Sequence, residues 1–314
     1  MGFNSWVTHL IGALSQESDF DSDSITALGG RQTVFLDKKS LKWFAEAYDI
    51  PADRIGKLEE SELIDTETLR TRSGVPDHAY IALMTGTTTT TFDVTDYENA
   101  DVILDLNQPF SEQDSEKLSQ NCSFVFDGGC LDNVFDPATA LKNLVSLLKP
   151  NGRIVNWAAA SNWPGSYAMV SPEWLFSFYA LNGFKNIRVY LFLPFDDGSS
   201  KWPNLKASVF RYSPIFTRAE GWDPWKAALS HPGHPAFVLA TAELEFPGQL
   251  DGWKTPIQSH YLTKDHFDWR LVSNDTPDLP FVFVDNQNDN EAIRRPFNSD
   301  HYRFIGTLAT MPHS

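Results

Sequence analysis

Apolar and polar positions change period several times along the chain, and each change marks an element. A polar, acidic and aperiodic stretch over residues 15–24 reads as a solvated linker. Ile25, Thr26, Ala27 and Leu28 then form a short apolar run, a strand that stops at Gly29 and Gly30. The chain resumes with Val34, Phe35 and Leu36, after which Leu41, Phe44, Ala45 and Tyr48 fall on one face of a helix. Residues 51–78 are charged and mostly polar, which predicts a surface excursion with a helix-compatible stretch at 57–63. Two strands follow, the Thr-rich run from Thr87 to Val94 and the run from Asp101 to Asp105. Asp93 and Asp105 stand at their C-terminal ends.

A fourth strand, 123–126, enters the turn Asp127-Gly128-Gly129. Asp136 and Pro137 are an N-cap and a first helical residue, and Ala140, Leu141, Leu144, Leu147 and Leu148 form the apolar stripe of the helix behind them. Lys149-Pro150-Asn151-Gly152 ends that helix, and a fifth strand covers 154–157. Ser171-Pro172 repeats the cap-and-proline signal before a helix that closes at Asn182-Gly183. A sixth strand spans 187–192. Lys206 to Tyr212 is a seventh, pairing with the sixth as an antiparallel hairpin across the Asp196-Asp197-Gly198 turn.

Strands alternating with helices imply a doubly wound, mainly parallel α/β sheet covered on both faces. The expected organisation is an N-terminal segment and linker over 1–24, an α/β domain over 25–212 with an insertion at about 51–78, and an accessory lobe over 213–314. In that last part Pro, Trp and His are frequent and periodicity weakens.

Composition narrows the function. The net charge of −16, without a dense Lys/Arg cluster, argues against nucleic acid as a partner. No apolar stretch reaches the roughly 18 residues of a membrane span. The first 14 residues lack a basic n-region and a small-residue cleavage pattern, and Cys122 and Cys130 are the only cysteines. A cytoplasmic protein without disulfides and without a membrane partner is the expectation.

In an open parallel sheet, ligands bind beyond the C-terminal strand ends. Four groups fall there: Gly29 with Gly30, where the backbone can approach a ligand; Asp93, able to accept from two vicinal ribose hydroxyls; Asp105 with Leu106, a carboxylate for an exocyclic amine beside an apolar flank for a purine; and the turn at Asp127, Gly128 and Gly129. The order of these groups along consecutive strands is the signal, since each alone is an ordinary turn or cap.

The run from Asp127 to Asp136, the helix holding Ala140-Leu141-Lys142-Asn143-Leu144 and the segment Leu148 to Arg153 resemble the fourth strand, following helix and fifth-strand entry of class I S-adenosylmethionine-dependent methyltransferases. The similarity extends back through 92–100 and Asp105-Leu106-Asn107, and forward through 161–165 to Ser171-Pro172-Glu173. It implies a seven-stranded Rossmann-like methyltransferase fold with an antiparallel last strand, and S-adenosylmethionine as cofactor. It also implies that Asp93 holds the ribose, that Asp105 and Leu106 face the adenine, and that residues 127–130, ending in Cys130, border the methionine moiety.

The chain departs from that family in three places. The glycine-rich loop after strand one is reduced to Leu28-Gly29-Gly30-Arg31-Gln32, so Arg31 must turn away or take part in carboxylate recognition. Asp93 follows Gly30 by 63 positions, a gap that implies inserted structure. Asp132-Asn133 stands where many relatives carry Glu-His, and a base expected from that pair is missing. His260 and His301, each beside a tyrosine, are the candidate bases if the accessory lobe folds over the strand ends. His231 and His234 are flanked by prolines, with no carboxylate or cysteine at useful spacing, so no metal is expected. The expected activity is methyl transfer to a small neutral or cationic metabolite or a sugar-like acceptor, with 213–314 forming the acceptor cleft. The competing readings are a catalytically inactive binding or scaffolding protein on the same fold, and an enzyme acting on nucleotide sugars.

Overall fold

A computed structural model describes residues 2–17, 25–55, 75–96, 99–111, 113–114, 122–161, 163–196, 198, 205–214, 235–245, 252–257, 276–283 and 301–309. In chain order its elements are α1 (Ser5–Glu17), β1 (Ile25–Gly29), β2 (Thr33–Val34), α2 (Lys38–Ala47), β3 (Val75–Pro76), α3 (Asp77–Thr85), β4 (Thr88–Asp93), β5 (Val102–Ile103) and β6 (Cys122–Gly128). There follow α4 (Pro137–Ser146), β7 (Leu148–Ala159), α5 (Pro172–Leu181), β8 (Lys185–Phe195), β9 (Lys206–Tyr212), β10 (Phe237–Glu243) and β11 (Tyr302–Leu308).

The helix starts form where the polar signals stand. Asp37 accepts from Ser40 N (2.7 Å), Asp136 from Thr139 N (3.1 Å) and Ser171 from Trp174 N (3.1 Å), with Pro137 and Pro172 opening α4 and α5. Each such cap stabilises its helix by about 1 kcal/mol. The apolar stripes then dock on the sheet. α4 and α5 cover one face through Leu141, Leu144, Leu175 and Tyr179, while α1, α2 and α3 cover the other through Trp6, Leu10, Phe44 and Tyr80.

Among the described residues nine strands form one sheet, in the order β11-β9-β8-β10-β7-β6-β1-β4-β5. β5, β4, β1, β6 and β7 are mutually parallel, in the 3-2-1-4-5 order of a doubly wound sheet. The chain moves outward from β1 to β4 and β5, then crosses back to β6 on the other side of β1. That reversal leaves a crevice at the C-terminal ends of β1 and β6.

The sheet is wider than the seven strands expected. Lys206–Tyr212 does pair antiparallel with β8, which contains the sixth strand expected from the sequence. The antiparallel strand that enters between β7 and β8, however, is β10, and β11 extends the far edge beyond β9. Both lie in the region assigned from the sequence to an accessory lobe, so the sheet does not end at residue 212. The N-terminal segment also differs from expectation: α1 runs through Glu17, and Ser5 to Leu14 are all buried. At the end of the polar excursion Val75 and Asp77 are buried as well, as are Tyr80 and Ile81 just beyond it, because β3 pairs with β2 and α3 packs on α1. The stretch at 57–63 lies outside the described residues.

Candidate functional site

The crevice is shaped first by backbone. Gly30 has a φ of 71° and donates its N–H to Phe92 O (2.6 Å), which turns the chain sharply off β1. A side chain at Gly30 would come within 3.0 Å of Asp93 Oδ2, and one at Gly29 would sit 2.1 Å from Cys130 Sγ. Absence of Cβ atoms at both positions therefore lets three loops approach each other.

Asp93 ends β4, and its Oδ1 accepts from Thr95 N (3.0 Å), fixing the carboxylate at the rim. Asp105 follows β5, with Oδ1 accepting from both the N–H and the Nδ2 of Asn107 at 2.9 Å. Asn107 Oδ1 in turn accepts from Phe135 N (2.8 Å) and Asp136 N (2.9 Å), tying this turn to the start of α4. Leu106 is held by Asn143 Nδ2, which donates to its carbonyl at 3.0 Å.

Below the rim, Asp127 is fully buried. It accepts from Cys130 N (2.7 Å), Leu131 N (3.3 Å) and Asn156 Nδ2 (3.0 Å), while Asn156 Oδ1 accepts from the Tyr179 hydroxyl. Burial pushes the Asp127 carboxyl up to about 7 against the pull of these donors. The Cys130 thiol is likewise raised well above its ordinary value by burial, so it stays protonated at neutral pH. Asn133 Nδ2 donates to Gly129 O (2.5 Å) and closes the turn.

The resulting cleft holds about 300 Å³. Gly29, Gly30, Asp93, Asp105, Leu106, Gly128, Gly129 and Cys130 all line it. Asp127 does not: it stands behind the wall and shapes the turn. Sequence reasoning missed Gln32, Asn107, Asn133 and Val134, which also line the space. A signal was available for two of them, since Gln32 and Asn107 each stand two positions past a predicted strand end or turn.

Arg31 also lines the cleft, and its guanidinium donates to Asn99 O (2.7 Å) and Asp101 Oδ1 (2.9 Å) in the loop before β5. Asp132 is buried, with Oδ2 accepting from Ser166 Oγ (2.8 Å) and its backbone O from Tyr167 N (2.7 Å) and Ala168 N (3.2 Å). Through these bonds it pins the 166–168 segment beside the cleft. A second cavity of about 190 Å³ opens next to that segment, lined by Pro137, Ala168, Met169, Val170, Ser171 and Trp174.

Of the two candidate histidines, His301 does not join the site. His301 precedes β11, which runs in the same direction as β1, so it stands at the opposite rim of the sheet. There it stacks on Tyr212 at 6.2 Å, and its Nδ1 lies 3.1 Å from Ser213 O. His260, His231 and His234 lie outside the described residues. Among the described residues no cluster of three His, Cys, Asp or Glu side chains suits a metal ion, and no helix is long and apolar enough to cross a membrane.

No family model matches the chain, and no curated protein matches it in sequence. Among solved structures it is similar to an S-adenosylmethionine-dependent methyltransferase from Archaeoglobus fulgidus, at 11% identity over 75% of this chain and 94% of that one, with a TM-score of 0.37. A second similar structure, from Thermotoga maritima, is described as a possible histamine N-methyltransferase: 14% identity, 76% of this chain and 92% of that one, TM-score 0.32. A third is the CurJ carbon methyltransferase, at 11% identity and a TM-score of 0.29, over 72% of this chain and half of that one. The fold is read from the sheet itself: parallel strands in 3-2-1-4-5 order with an antiparallel strand beside β7. It is doubly wound and Rossmann-like. Fold alone does not assign an activity, which has to be argued from the cleft.

Proposed function

We propose that the chain binds S-adenosylmethionine in the 300 Å³ cleft and transfers its methyl group to a small-molecule acceptor. One observation carries this reading: Asp93 at the end of β4 and Asp105 just after β5 stand on the same rim as the side-chain-free positions Gly29, Gly30, Gly128 and Gly129, and all of them line one space. Its volume falls at the lower end of the roughly 300–1,000 Å³ typical of small-molecule sites.

The residues fit the group in kind. The Asp93 carboxylate offers acceptors for two ribose hydroxyls, and Asp105 offers one for an exocyclic amine. Leu106 supplies the apolar flank for a purine. Bound there, S-adenosylmethionine supplies a methyl carbon activated by a sulfonium leaving group. The protein's own work is to align an acceptor with that carbon and to exclude water. The cavity beside Ala168 and Met169 suits the acceptor, because Asp132 pins its wall next to the cofactor cleft. Among the described residues no charged side chain lines that cavity, which favours a neutral acceptor.

Isothermal titration with S-adenosylhomocysteine tests the reading. Asp93→Ala removes charge-assisted bonds worth about 1.5–3 kcal/mol and is expected to weaken binding roughly 10- to 100-fold. A wild-type protein that gives no heat at millimolar ligand would instead be a scaffold that kept the fold and lost the cofactor.

A further inference from the structure

The segment from Asp132 to Pro137 borders two spaces. Asn133 and Val134 line the 300 Å³ cleft, while Pro137 lines the 190 Å³ cavity together with Ala168, Met169, Val170, Ser171 and Trp174. Backbone bonds hold the wall of that cavity in place. Tyr167 N and Ala168 N donate to Asp132 O (2.7 and 3.2 Å), and Val170 N donates to Ala159 O (2.9 Å), so the wall is tied both to the segment and to the end of β7.

The lining is apolar and in part flat. Trp174 contributes an indole, Pro137 a rigid ring and Met169 a polarisable thioether, which makes favourable contacts with aromatic rings. The neighbouring surface is apolar as well. Phe135 is 87% exposed, Tyr167 76% and Met169 43%, which makes three of the six exposed large apolar side chains among the described residues. Phe135 stands two positions before Pro137 and Tyr167 one before Ala168, so all three belong to the two segments that wall this cavity. Single exposed apolar residues scattered over a surface need no account, but a group of them beside a concavity marks a binding site.

Size and charge identify the occupant. An apolar cavity of about 150 Å³ takes up benzene. The space here, about 190 Å³, therefore accommodates one six-membered ring with a substituent. Among the described residues no Asp, Glu, Lys, Arg or His lines it, so a charge placed there would lose its hydration without gaining a partner. Resting on the function proposed above, we propose that this cavity selects a planar, uncharged aromatic ring as the body of the methyl acceptor, with Met169 and Trp174 as the residues that set the specificity.

Titration calorimetry on the full chain saturated with S-adenosylhomocysteine compares three probes: 2-naphthol; decahydro-2-naphthol, which is uncharged but not planar; and naphthalene-2-sulfonate, which is planar but anionic. 2-Naphthol is expected to bind about tenfold more tightly than either of the others. Met169→Glu, which brings a charge to the cavity, and Ala168→Trp, which fills it, are each expected to weaken 2-naphthol by about tenfold or more and to leave S-adenosylhomocysteine within about twofold. Equal affinity for 2-naphthol and decahydro-2-naphthol would overturn the proposal whether or not the variants fold. So would binding of 2-naphthol that neither variant weakens. A wild type that binds S-adenosylhomocysteine but not 2-naphthol would remove this inference alone, whereas one that binds no S-adenosylhomocysteine would remove the cofactor reading and this inference with it. A wild type that sediments as a dimer, and as a monomer once Phe135→Ser and Tyr167→Ser are introduced, would assign the apolar patch to a second copy of the chain and overturn the proposal.

Discussion

Trp6→Ala is expected to lower the free energy of unfolding by about 4 kcal/mol, a large fraction of the roughly 5–15 kcal/mol that holds most domains together. Trp6 is fully buried on α1, with its ring 6.0 Å from that of Trp157 on β7 and 5.8 Å from that of Phe237 on β10. Truncating a buried aromatic of this size costs about 3–5 kcal/mol through lost transfer energy and the cavity left behind. The indole Nε1 also donates to Leu205 O at 2.5 Å, so the substitution strands a carbonyl. Trp6→Phe separates the two effects: it keeps most of the ring contacts and should cost about 1–2 kcal/mol. Urea denaturation reads both as a lower midpoint at unchanged slope. A loss below 1 kcal/mol for Trp6→Ala would mean that α1 is a detachable segment. The large value would mean that the first helix and the strand at 237–243 belong to one cooperative unit with the central sheet.

That unit is what the sequence pattern conveyed only in part. The stretch from β6 through α4 to β7 was legible because its signals are local: a strand ending in Asp127-Gly128-Gly129, an Asp-Pro cap, and an apolar stripe of helical period. The rim residues were legible for the same reason, since a carboxylate or glycine at a strand end needs no distant partner to be noticed. α1 was not, because a helix buried all round from Ser5 to Leu14 has no polar face to set a period against. Nor was β10, whose seven residues make sense only against β7 and β8, strands that begin and end 42 to 95 positions earlier in the chain. The Pro-Asn-Gly signal at 150–152 was half right. α4 ends at Ser146, before it, and β7 carries the three residues as an irregularity in its pairing with β6, with Asn151 at a φ of 59°. At the site, Gln32 escaped notice because its place on the cleft wall is fixed by Asp77, 45 residues later, in a segment whose composition suggested solvent.

Two buried titratable groups give the other large expected effect, and their signs are opposite. His9 is enclosed in the core, its Nδ1 2.8 Å from the Tyr48 hydroxyl and its Nε2 2.7 Å from Ala309 O. Burial lowers its pKa to about 4, against 6.5 when unfolded. Between those values the unfolded chain binds the extra proton, so this group makes stability rise with pH, by about 3 kcal/mol in all. Asp127 does the reverse. Burial raises it to about 7 from 3.8, so in that window the folded chain holds the extra proton and stability falls as pH rises, by about 4 kcal/mol. From about pH 4 to 6.5 the two slopes nearly cancel, and the wild type conceals both. Single variants uncover them. The destabilisation caused by His9→Gln should shrink by about 3 kcal/mol as the pH is lowered from 7 to 4. That caused by Asp127→Asn should shrink by a similar amount as the pH is raised from 4 to 8. Denaturation curves at five or six pH values measure both trends relative to the wild type, which removes the contribution of the surface carboxylates. Parallel, flat differences for the two variants would mean that neither group titrates between its folded and unfolded values, and that the polar floor beneath the cleft at Asp127, Asn156 and Tyr179 is set by hydrogen bonding without a shared proton.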